Sequence, residues 1–243
     1  MLSVLDRIEI WLQQHKEVYG PFEPVLWDKQ IKAIHDDGTQ ILSETSSADV
    51  SSLYSINTLD ELKQWCLGCE ALKTDLAGTN LVFGVGNPEA DLMLIGEAPG
   101  EQEDRLMEPF VGNAGQLLNK ILEAIQFRRE DVYIANILKH RPPNNRDPLP
   151  EERERSLPVL LQQIKIIKPK LILCLGRISA QTLLQSTATM KELRGIFHPW
   201  NHGIELAVTY HPAALLRNPE WKKDTWDDVR MVRKRYNEIG AKP

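Results

Sequence analysis

The chain has 243 residues, 42% of them hydrophobic, enough for one large domain or a domain with an appendage. No apolar run reaches the ~18 residues of a membrane span, and three cysteines make no disulfide framework, so a reducing cytoplasm and no membrane are expected. The net charge of −5 argues against a polyanionic partner until it is divided: residues 1–60 hold four Lys/Arg and ten Asp/Glu, the remainder 25 and 24, with basic clusters at Arg128–Arg129, in KHRPPNNR and in RKR at 233–235.

Val4, Leu5, Ile8, Trp11 and Leu12 have helical spacing, and Asp6, Arg7 and Glu9 interrupt them too soon for a signal peptide. Residues 1–41 therefore read as an acidic helical arm. Residues 42–57, rich in Ser and Thr, read as a flexible linker. The box TLDE, Thr58 to Glu61, predicts a helix N-cap and opens the main domain, 58–243.

That domain alternates. Apolar runs at 91–96, 132–138, 170–176 and 204–210 predict four strands. Between them, Leu117, Leu118, Ile121, Leu122 and Ile125 mark one helix; Val159, Leu160, Ile164 and Ile167 mark another, beginning near Pro150. A short helix follows from Ser179, and Trp226, Val229, Val232 and Tyr236 mark a closing one. The expected fold is α/β: a three-layer α/β/α sandwich around a central, mainly parallel four-stranded sheet. Ligands of such sheets bind beyond the carboxyl ends of the strands. Here those ends lead into GEAPG, the 136–146 stretch, GRIS and HPAALLR.

GEAPGEQEDRLMEPFVG carries five carboxylates against Arg105. A loop so acidic repels phosphate and suits a metal, an activated water or a positive charge that develops in a reaction. Glu97 sits between two glycines. Phe110 fits either a core position or a platform for a stacked base. The Asn136 carboxamide matches the edge of a pyrimidine, or caps a strand end. His211 is the histidine best placed to donate to a leaving group. Leu215, Leu216 and Arg217 fit a wedge into a base stack with a cation behind it, or the first turn of a helix.

Together GEAPG with ED and PFVG, YIANILKHRPPNNRDP and TYHPAALLRNP resemble the family 4 uracil-DNA glycosylases, from about Trp65 to the closing helix. The resemblance implies a monofunctional hydrolase that flips uracil out of DNA and cleaves its N-glycosidic bond. Phe110 would stack on uracil and Asn136 would read its edge. His211 would stabilise charge near O2. Glu97 would hold the attacking water with the Gly96–Ala98 backbone and favour an oxocarbenium-like sugar. Arg141, Arg146 and Arg217 would contact phosphate. The other acids of the loop are expected to be a solvated face. No cofactor is required for the chemistry. The implied substrate is uracil-containing DNA, single- or double-stranded, acted on by a monomer, with the N-terminal arm available to a protein partner. A non-catalytic uracil-binding or scaffold protein of the same fold is the alternative.

The chain departs from the family at its cluster. Four cysteines usually hold a [4Fe–4S] centre; here Cys66 and Cys69 stand, but His140 and Ser156 occupy the other two positions. Cys174, inside a strand, reads as a core thiol. Histidine ligates iron in Rieske centres, and a zinc on Cys66, Cys69 and His140 would have three of four ligands. The remaining expectation is that packing replaces the cluster. Glu108 stands where the family has a small or basic residue.

Overall fold

The computed structural model describes residues 52–242; the predicted N-terminal helix and most of the 42–57 linker lie outside them. The helices used below are α1 (Leu59–Leu67), α2 (Glu101–Leu106), α3 (Asn113–Ala124), α4 (Pro150–Ile167), α5 (Arg177–Leu184), α6 (Met190–Leu193), α7 (Pro212–Arg217) and α8 (Lys222–Glu238). The strands are β1 (Val85–Gly86), β2 (Leu92–Gly96), β3 (Tyr133–Asn136), β4 (Leu171–Leu175), β5 (Phe197–Pro199) and β6 (Glu205–Thr209). They form one sheet in the order β1-β3-β2-β4-β6-β5.

The inner four strands are parallel, as expected from apolar runs separated by helices. The sheet has six strands rather than four because antiparallel edges are added, β1 on β3 and β5 on β6. Both edges are short and mostly half-exposed, so they carry neither an apolar run nor alternation. Side chains alternate across the sheet. Met93, Ile95, Ile172 and Cys174 pack under α4 and α5 with Leu160, Ile164 and Leu183. Leu92, Leu94, Leu171 and Leu173 pack on the other face under α3 and α8 with Leu118, Leu122, Val229 and Val232. The three layers follow. Trp226, expected on the buried face of α8, is instead 42% exposed.

Thr58 caps α1, its hydroxyl accepting from Glu61 N at 3.3 Å. The residues just before it do not behave as a linker. Leu53 is buried beside Leu62, Cys66 and Val159. The Trp65 indole donates to Ser52 Oγ at 3.0 Å, Gln162 donates to Ile56 O, and Lys165 to Tyr54 O at 3.3 Å. Residues 52–57 are thus docked on α1 and α4.

The basic clusters also read differently in three dimensions. Arg128 pairs with Asp131 at 2.6 Å, Arg233 lies 4.5 Å over the Phe127 ring, and Arg235 pairs with Glu205 at 2.6 Å. Lys139 is wholly buried. Arg146, expected on phosphate, grips the buried Glu152 with both terminal nitrogens at 2.8 Å, while Glu152 also accepts from Leu149 N and so starts α4. These cations fasten the fold; they do not make a free positive face. If residues 52–57 belong to the domain, Leu53→Ala will lower stability by about 2–4 kcal/mol in urea unfolding, the cost of a core leucine; a true linker leucine would move it by less than about 0.5 kcal/mol.

Candidate active site at the strand ends

Gly96 and Asn136 end β2 and β3 directly opposite each other. The pairing continues past them: Ile137 N donates to Gly96 O and Leu138 N to Glu97 O, both at 3.0 Å. A Cβ at position 96 would lie 2.4 Å from Asn136 Oδ1 and 2.6 Å from Phe110 Cζ. Only glycine lets the amide and the ring converge. Asn136 is 2% exposed, and its Oδ1 is buried without a hydrogen-bond partner. An orphan buried acceptor costs about 1–3 kcal/mol, a cost that a ligand donor reaching Oδ1 beside the Phe110 ring would remove.

Phe110 reaches this point through a strained main chain, φ 55°, a region rare for a bulky residue. Its surroundings enforce it. Arg129 donates to Phe110 O at 3.2 Å and to Pro109 O, and pairs with Glu108 at 3.2 Å. Gly115 lets α3 press against the same carbonyl, since a Cβ there would sit 1.8 Å from it. From the other side, Glu103 Oε1 accepts from Val111 N at 3.0 Å and Gly112 N at 2.9 Å. Asp104 accepts from Asn80 N at 2.7 Å. These two acids were expected on a solvated face; Glu103 instead clamps the segment that presents Phe110, and Asp104 ties α2 to Asn80. Arg129 and Glu103 are thus site-building residues that sequence reasoning missed. Their signal was the doubled arginine and the Glu-Asp pair, but neither pattern says which way a side chain turns.

His211 caps α7, its Nδ1 accepting from Ala213 N at 3.1 Å. That bond places the proton of the neutral ring on Nε2. Burial, with the Arg217 charge adding to it, pushes the His211 pKa down to about 4, so the ring is neutral at pH 7. Its centroid lies 5.4 Å from that of Phe110, tilted by 33°. Gly176, at φ 99°, clears the space behind it; a Cβ there would meet His211 Cβ at 3.0 Å.

Glu97, half-buried, follows Gly96. Burial, then the charge of Asp147, pushes its pKa up to about 7 against the pull of Arg177 and Arg153. Ala98 packs on the core beneath. Among the expected DNA contacts, Leu216 is 48% exposed and Arg217 is exposed beside it, but Leu215 is 1% exposed and belongs to the core, not to a wedge. The helical turn of α7 separates the two leucines, turning one in and one out. Arg141 Nε is held by Asn145 Oδ1 at 2.8 Å. The structure therefore brings Gly96, Glu97, Phe110, Asn136 and His211 to one place, and leaves Arg146 and Leu215 in structural roles.

The expected metal ligands do not assemble. Among the described residues no three of His, Cys, Asp and Glu are placed to hold one ion. Cys66 is buried in an apolar cluster with Leu62, Leu72, Leu81 and Val159. His140 Nδ1 is engaged with Thr79 Oγ1 at 3.1 Å, and the buried Ser156 hydroxyl has no partner. Two thiols, one imidazole and a serine are not the four thiolates of a [4Fe–4S] centre, and Cys66, Cys69 and His140 are not gathered into a zinc site.

The sequence profile of the uracil DNA glycosylase superfamily matches residues 83–230, which include every residue of this site. A type-4 uracil-DNA glycosylase of Archaeoglobus fulgidus is 40% identical over 184 residues, spanning 73% of this chain and 92% of that protein. One of Saccharolobus solfataricus is 42% identical over 186 residues (73% and 86%), and one of Thermotoga maritima 43% over 168 (68% and 88%). With identity at this level over nearly the whole of each relative, the chain belongs to the uracil-DNA glycosylase superfamily and to its type-4 branch.

Proposed function

We propose that this chain is a monofunctional DNA-repair hydrolase that binds an extruded uracil against Phe110 and Asn136 and cuts its N-glycosidic bond, leaving an abasic site. The observation that carries the reading is the buried, unpartnered Asn136 Oδ1 beside Gly96 and the Phe110 ring. Uracil offers a donor at N3 and an acceptor at O4, the complement of a carboxamide. Cytosine offers the reverse at both atoms.

As the N1–C1′ bond breaks, its electron pair moves onto the base. Neutral His211 donates from Nε2 to O2 and stabilises that charge without transferring a proton. The sugar becomes cationic, and the Glu97 carboxylate favours it. Glu97 also orients a water whose oxygen bonds to C1′ and whose proton the carboxylate accepts. The exposed Leu216 and Arg217 on α7 support a wedge and a phosphate contact that hold the base out of the stack. The chemistry needs no cofactor. Since the four ligand positions do not fit the family's cluster, we propose that this protein works without one. It acts on uracil-containing DNA, single- or double-stranded, as a monomer.

The first test is a labelled oligonucleotide with one uracil, set against a thymine control, with alkali to reveal abasic sites. Cleavage of the uracil strand alone is expected; no cleavage by folded protein would sink the reading. His211→Ala is expected to lower kcat by about 10²–10³-fold, the usual loss of one donor to developing charge. Asn136→Asp is expected to lower kcat/KM for uracil by at least about 100-fold and to narrow the preference over cytosine.

Glu97 sets the pH dependence. With a folded pKa of about 7, kcat/KM should fall tenfold per pH unit below that value. His211, neutral from about pH 4 upward, adds no second limb near neutrality. Asp147→Asn should move the Glu97 limb to lower pH, and Glu97→Gln should abolish it along with most of the rate. The same shift bears on stability. A raised carboxyl pKa means the ionised form is disfavoured by folding, so a penalty develops as pH rises from ~4.3 to about 7. Glu97→Gln should therefore be more stable than the parent above pH 7, by up to about 1–3 kcal/mol, and equal to it in acid.

Protein purified without reducing agents should carry sub-stoichiometric iron and zinc, and keep its activity after dialysis against a strong chelator. Stoichiometric iron with the visible absorption of a cluster, lost together with activity on chelation, would contradict the cluster-free reading.

A further inference from the structure

Lys139 is 0% exposed. Its ammonium donates to Gln163 Oε1 at 2.7 Å, to Asn136 O at 2.9 Å and to Phe83 O at 3.4 Å. Burial pushes its pKa down to about 7; in the ammonium form three donors meet three acceptors, none of them a carboxylate. Gln163 in turn donates to Phe83 O at 3.0 Å and to Tyr133 Oη at 3.4 Å, and Val82 N donates to Lys139 O at 2.8 Å.

The position of this node in the sheet gives it a purpose. On β3, Ile137 N points toward β2, where it bonds Gly96 O; the main-chain N–H and C=O of Asn136 therefore point to the opposite side, toward β1. The β1–β3 register pairs Val85 with Ile134, and extending it sets Phe83 opposite Asn136. No rung closes there. The carbonyls of both residues instead accept from one ammonium. A methionine would fill the same volume in this apolar face, and burying a charge is costly. What methionine cannot do is hold two facing carbonyls.

We propose that Lys139 is a positioning residue for uracil recognition: it fixes the main chain of Asn136 at the strand end and so aims the carboxamide at the base. The inference rests on Asn136 reading uracil, as argued above. Lys139 is 0% exposed and acts through Asn136.

A double-mutant cycle tests this, with single-turnover kcat/KM measured on a uracil oligonucleotide well below every variant's Tm. Lys139→Met should lower kcat/KM by about 10–100-fold, the loss expected from a misplaced recognition group. In the Asn136→Ala background the same change should have no further effect. Gln163→Leu, which keeps the lysine and removes one of its acceptors, serves if Lys139→Met does not fold; it should cause a loss of a few fold that also vanishes beside Asn136→Ala. Parental activity in the single lysine and glutamine variants, or losses that multiply in full onto Asn136→Ala, would overturn the role of Lys139 and leave the site intact. Parental activity in Asn136→Ala itself would overturn the site reading and this inference with it.

Discussion

There is no room for a side chain at position 96, and the rest of the site depends on that. The end of β2 must pass between the Asn136 amide and the Phe110 ring, with a notional Cβ 2.4 Å from one and 2.6 Å from the other. A parallel sheet delivers Gly96 and Asn136 to the same level because their strands are adjacent and in register. It delivers His211 beside them because β6 lies two strands from β2 and ends at the same edge. The Phe110 loop is then bent over this floor at a positive φ and held by Arg129, Glu103 and Gly115. Strain at Phe110 is compensated by these surrounding contacts, the usual condition for its survival at a functional position.

The electrostatics suit the cleavage of an N-glycosidic bond. A leaving anion and a developing sugar cation appear a few ångströms apart, so the site needs a hydrogen-bond donor without full charge and a carboxylate nearby. Burial neutralises His211 and a backbone amide fixes its tautomer. Glu97 is kept close to its titration point by burial and by Asp147. Formal cations are held off or neutralised. Arg177 pairs with Asp147 at 3.3 Å, and Arg146 with Glu152. Arg217 on α7 is left exposed.

The layers and the inner strands were legible in the sequence, because Leu92–Gly96 and Leu171–Leu175 are continuous apolar runs bounded by glycine. The edges were not: Val85–Gly86 and Phe197–Pro199 are too short to show a period. Gly96, Glu97, Phe110, Asn136 and His211 stood out through the strings that carry them and the rule that ligands bind where parallel strands end, and the structure gathers them at those ends. Charge was the misleading signal. KHRPPNNR reads as a patch for phosphate, yet Lys139 is buried, His140 meets Thr79 and Arg146 serves Glu152. The net charge of a segment says nothing about which way its side chains turn. In HPAALLR the pair Leu215–Leu216 looks like one wedge, but the helical turn sends Leu215 inward.

The most direct test of the central claim is a crystal structure of the protein with DNA containing an abasic site and free uracil. The account predicts uracil stacked on Phe110, with N3 within hydrogen-bonding distance of Asn136 Oδ1, O4 against Asn136 Nδ2 and O2 against His211 Nε2. Uracil bound away from the ends of β2 and β3, or lying in this pocket with Asn136 Oδ1 still unpartnered, would contradict it.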